Sequence, residues 1–67
     1  MEFKLEGEYI ELIKLLKALK LVGTGGEAKM RVTDGEVLVN GQVDTRMRKK
    51  LRVGDIVDFD GQQVTIV

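Results

Sequence analysis

The chain has 67 residues, 43% of them hydrophobic, with 11 basic and 11 acidic side chains and neither cysteine nor histidine. That length predicts one globular domain over residues 1–67 with a small core, burying roughly 60% of the surface that the unfolded chain exposes. The missing residue types exclude disulfide staples, cysteine-based zinc sites, thiol nucleophiles and histidine general bases.

No apolar run approaches the roughly 18 residues that a membrane span needs. The N-terminal stretch MEFKLEGEYIE is acidic where a secretory leader is basic. The expectation is a soluble, cytoplasmic protein. Its zero net charge hides an uneven distribution: residues 14–52 carry ten bases against four acids, a net of +6. Residues 1–13 carry one Lys and four Glu, and residues 53–67 carry three Asp and no base. Such separation suits an anionic partner.

In chain order, Phe3 and Leu5 alternate with Glu2, Lys4 and Glu6, the pattern of a short strand with one buried face. From Glu8 to Lys20 the period lengthens. Tyr9, Leu12, Ile13, Leu16 and Leu19 then share one helical face, with Glu8, Glu11, Lys14, Lys17 and Lys20 opposite. Glycines 23, 25 and 26 interrupt this helix. A second is predicted over Gly25 to Asp34, because Thr24 and Glu27 have capping-box spacing and Gly35 suits the left-handed residue after a helix. Ala28 and Val32 would face the core, leaving Lys29 and Arg31 towards solvent.

Beyond Gly35 the period falls to two. Val37 to Val39 and Gln42 to Asp44 flank an Asn-Gly turn, and Ile56 to Asp60 and Gln63 to Val67 flank an Asp-Gly turn, so two hairpins are predicted. The fold class is α+β: two N-terminal helices packed on a small antiparallel sheet of four to five strands.

Between the hairpins lies TRMRKKLR, with Arg46, Arg48, Lys49, Lys50 and Arg52 inside seven residues. It has no clean period and reads as a loop pinned by Leu51 and Met47. One explanation is a solvated run balanced by Asp44, Asp55, Asp58 and Asp60. The other is a phosphate-binding patch, since guanidinium forks and ammonium charges displace counterions condensed on nucleic acid. VGTGGEAK lacks the Gly-Lys-Ser/Thr ending of a nucleotide loop and reads as a glycine-rich turn. Its helix start offers at most one backbone phosphate contact. Asp55, Asp58 and Asp60 supply too few ligands for a hard cation, and Thr24, Thr33 and Tyr9 lack a base, so neither metal nor catalysis is expected. Tyr9, Phe3 and Phe59 read as packing residues rather than as platforms for bases.

The stretch from Tyr9 to Asp55 resembles the RNA-binding domain named after small-subunit ribosomal protein four, the alpha-L RNA-binding motif. The matching residues are Ala28, Val32, Gly35, Val37, Val39, Asn40, Gly41, Gly54 and Asp55. The length, TGGEAK and RMRKKLRVGD are similar to the small stand-alone bacterial members. The resemblance implies a non-enzymatic protein that needs no cofactor or small-molecule substrate and binds structured RNA, ribosomal RNA among the candidates. It implies contacts from Lys29 and Arg31 on helix two and from Arg46, Arg48, Lys49 and Lys50 on the loop after the hairpin. Many members start helix two with Ser-Arg, where this chain has Gly25-Gly26, which removes one basic contact. An adaptor docking the same basic loop on an acidic protein is the alternative.

Overall fold

The computed structural model describes all 67 residues. Its elements are β1 (Glu2–Phe3), β2 (Ile10–Glu11), α1 (Leu12–Ala18), α2 (Gly25–Thr33), β3 (Val37–Val39), β4 (Gln42–Val43), β5 (Lys50–Leu51), β6 (Ile56–Phe59) and β7 (Gln62–Ile66). The helices and hairpins stand in the predicted order, and the principal differences fall at the start of α1, at β5 and at β1.

α1 begins four residues later than its apolar period suggests. Ile10 and Glu11 are extended and pair antiparallel with Leu51 and Lys50. Tyr9 therefore leaves the core: it is 42% exposed, against the packing role read from its spacing. At the other end, the Leu21 and Lys20 amides donate to the Leu16 and Lys17 carbonyls, a Schellman closure with Lys20 left-handed at φ 57°. α2 has the predicted cap, the Glu27 amide donating to Thr24 Oγ1 at 3.1 Å. The Glu27 carboxylate reaches one residue beyond the cap and accepts from the Gly23 amide at 2.7 Å. Gly35, at φ 79°, ends the helix as expected.

Both hairpins close on a pair of left-handed residues, Asn40-Gly41 and Asp60-Gly61, whose positive φ matches the strand twist. β3 also pairs antiparallel with β6, so the two hairpins form one sheet in the order β1-β7-β6-β3-β4. This sheet is mixed rather than wholly antiparallel, because β1 runs parallel to β7. Alternation sends Val37, Val39, Val57, Phe59, Val64 and Ile66 to one face. They meet Leu12, Leu15 and Leu16 of α1, Ala28 and Val32 of α2, Val22 and Leu51 in one buried cluster.

The Asn-Gly turn also carries a long-range clasp. Asn40 Nδ2 donates to Asp55 Oδ1 at 3.0 Å, and Asn40 Oδ1 accepts from the Ile56 amide at 2.9 Å. Asp55 Oδ2 accepts in turn from the Arg52 amide at 2.8 Å. One side chain thus fixes the entry to the second hairpin against the tip of the first. Asn40→Gly keeps the left-handed backbone but loses the clasp, at a cost of about 1 kcal/mol. Asn40→Ala adds about 1–2 kcal/mol for the positive φ. Urea midpoints in the order wild type, Gly, Ala are expected; equal midpoints for wild type and Gly would show the clasp to be dispensable.

Candidate nucleic-acid interface

The basic run is held from behind by its own backbone. α1 has no side-chain cap at Glu11. The first helical amides instead find distant carbonyls: Leu12 N–H donates to Lys49 O at 2.9 Å and Ile13 N–H to Met47 O at 3.0 Å. These bonds satisfy donors that every helix start leaves free. They also turn the carbonyls of the run inward and leave its charged side chains outward. Leu51 is fully buried and Met47 packs on the core, as their apolar character predicted. Lys50 and Leu51 form a strand, however, where a loop was expected. Arg48, Lys50 and Arg52 alternate with Leu51, a period of two that only the pairing with β2 makes visible.

Arg46, Arg48, Lys49, Lys50 and Arg52 line a single open concavity of about 440 Å³. Four of the sequence-predicted residues are therefore brought together, and Arg52 joins them. Two of the five are already partnered. Arg46 meets Asp44 through Nε at 3.0 Å and Nη2 at 2.8 Å. Arg48 meets Glu11 through Nε alone at 2.8 Å, which leaves both terminal nitrogens of its fork for another acceptor. Lys49, Lys50 and Arg52 form no ion pair.

The two helix residues stand apart from this group. Lys29 is exposed and unpaired on α2, and it does not line the concavity. Arg31 is half-buried among Asp60 at 2.6 Å, Glu36 at 2.8 Å and Glu27 at 3.5 Å, with its guanidinium 4.6 Å from the centre of the Phe59 ring. It ties α2 to the β6–β7 turn. The carboxylates singled out in the sequence are also engaged: Asp55 in the clasp, Asp60 with Arg31, and Asp58 accepting from Gln63 at 3.4 Å.

These contacts set an acid limit on the framework. The Arg46 side chain holds the Asp44 carboxyl below its ordinary value of 3.8. The Arg48 side chain does the same for Glu11, ordinarily 4.5. Burial pushes the Asp55 carboxyl up, but bonds from the Arg52 amide and the Asn40 side chain outweigh it and leave it lowered. A carboxyl lowered by folding stabilises the fold fully above its ordinary value, and that stabilisation is lost as pH falls through the folded value. Stability should therefore fall as pH drops below about 4. Asp44→Asn should start lower and decline less steeply over that window, as read by urea unfolding at successive pH values; parallel declines would remove Asp44 from the acid limit.

This framework can be set beside known proteins. The family model of the S4 domain matches residues 3–67. The chain belongs to the S4 domain family. The S4 chain is 40% identical over 57 residues to the protein named "Probable ribosome maturation protein RlbA" of Bacillus subtilis, covering 85% of this chain and 80% of that one. It is 39% identical over 59 residues to the "Putative RNA-binding protein YbcJ" of Escherichia coli, covering 88% and 84%. The solution structure of YbcJ, described as revealing an alpha-L motif involved in RNA binding, superposes with a TM-score of 0.74 at 37% identity over 98% of this chain and 85% of that one. The alpha-L RNA-binding fold is thus established. The S4 chain also aligns with 14% of a tyrosine–tRNA ligase of Rhodopirellula baltica, at 33% identity. No helix is long and apolar enough to cross a membrane.

Proposed function

We propose that this S4 domain is a non-catalytic module that grips structured RNA by its sugar–phosphate backbone. Arg46, Arg48, Lys49, Lys50 and Arg52 contact phosphates, Lys29 adds a contact from α2, and Arg31 serves the framework that presents them. The observation that carries this reading is the gathering of five basic side chains on one concavity by a backbone bonded to the start of α1. Phosphate contacts position a protein without reading sequence, so shape supplies the selectivity, as it does for A-form helices. The ribosome-maturation name of the Bacillus relative makes a folded ribosomal RNA fragment the first probe.

Affinity for that fragment, measured by filter binding across salt concentrations, should fall steeply and linearly on logarithmic axes, because bound phosphates release counterions. A flat salt dependence, or equal affinity for duplex DNA of the same length, would sink the reading. Partners that survive nuclease treatment of a pulldown would favour docking on an acidic protein instead.

A further inference from the structure

We propose that the ring of Tyr9 is a stacking platform for one unpaired base of the bound RNA, at the edge of the basic concavity. The proposal rests on the RNA-binding reading above and adds a second chemistry to it. In the register Ile10–Leu51 and Glu11–Lys50, continuing one residue back sets Tyr9 opposite Arg52, on the face that Lys50 shares. Lys50 Nζ lies 4.9 Å and Arg52 Cζ 5.9 Å from the centre of the ring. Tyr9 is 42% exposed and lies outside the buried cluster, so its aromatic surface is open to a ligand.

Hydrated cation–π contacts contribute little at an exposed site, so the two cations are free to exchange the ring for phosphate. A base on the ring would set its flanking phosphates beside Lys50 and Arg52. Tyr9 also lines a concavity of about 410 Å³ with Phe3, Leu5 and Ile10, an apolar floor for the edge of a base. Lys4 and Glu6 line the same concavity with opposite charges, so the place of the phosphates is set by Lys50 and Arg52 on the basic face. Stacking on an aromatic side chain tolerates any base, so the platform distinguishes unpaired from paired RNA rather than one sequence from another.

The chain has one tyrosine and no tryptophan, so its intrinsic fluorescence reports this ring alone. The probes are a blunt RNA hairpin and the same hairpin with a short single-stranded adenosine tail. Wild type should bind the tailed hairpin about tenfold more tightly and show saturable tyrosine quenching only with it. Tyr9→Leu, which changes an exposed residue, should bind both hairpins alike, and Tyr9→Phe should restore the preference without the hydroxyl. Equal binding and no selective quenching in wild type, or a preference that survives in Tyr9→Leu, overturns the platform. In those outcomes the basic face still binds RNA; failure of both hairpins to bind would overturn the basic-face reading with it.

Discussion

Replacing Lys50 and Arg52 together with glutamine should weaken binding to structured RNA about a hundredfold, because two hydrogen bonds to charged groups are each worth roughly 1.5 kcal/mol or more. Neither side chain forms an ion pair in the free protein, so their loss leaves no buried carboxylate exposed to a missing partner. The fold should therefore survive, which unchanged circular dichroism and an unchanged urea midpoint would verify. The slope of log affinity against log salt should fall by roughly one to two units, the signature of lost phosphate contacts rather than of a damaged fold. Replacing Lys17 and Lys20 with glutamine changes the net charge equally but touches residues outside the concavity. If that pair costs as much as Lys50 and Arg52, the chain binds by its average charge, and the basic face has no special role.

The contrast between free and paired cations could not be read from the sequence. TRMRKKLR shows its charges as equals, yet Arg46 is held by Asp44, two residues away, and Arg48 by Glu11, thirty-seven residues away. Backbone chemistry was legible where a capping or turn rule spans a few residues, whereas side-chain ion pairs were not, even at the two-residue separation of Asp44 and Arg46. The Thr24 cap, the Gly35 helix end and both glycine-closed hairpins all obey rules that span four or five residues. Tyr9 failed for the opposite reason. Its spacing to Leu12, Ile13 and Leu16 fits a helix, but the backbone of Ile10 and Glu11 finds its hydrogen bonds on Lys50 and Leu51, and long-range pairing overrides local period. The parallel placement of β1 beside β7 was hidden in the same way, since alternation in Phe3 and Leu5 predicts a strand but not its neighbour or its direction. Asn40 and Asp55 were matched to a family pattern that says nothing of how the two residues relate in space. In the structure they hydrogen-bond to each other.

Leu51→Ala should produce the largest loss of stability of any single change near the interface, about 2–5 kcal/mol. A chain of this size has only roughly 3–10 kcal/mol to lose, so a substantial unfolded population is expected at room temperature. Leu51 is fully buried between two outward-facing cations, and its side chain anchors β5, the partner of β2, in the core cluster. Its removal leaves a cavity in the core cluster and loosens the run whose Met47 and Lys49 carbonyls satisfy the start of α1. Leu51→Met, which nearly conserves volume, should cost less than about 1.5 kcal/mol and keep full RNA affinity. The two variants separate packing from charge, because both retain every basic side chain. Saturating RNA should then raise the urea midpoint of Leu51→Ala, since a ligand that binds only the folded state stabilises it by mass action. If RNA leaves that midpoint unmoved while still binding the variant, the basic residues act without the ribbon that Leu51 anchors, and the interface is a charged tether rather than a folded surface.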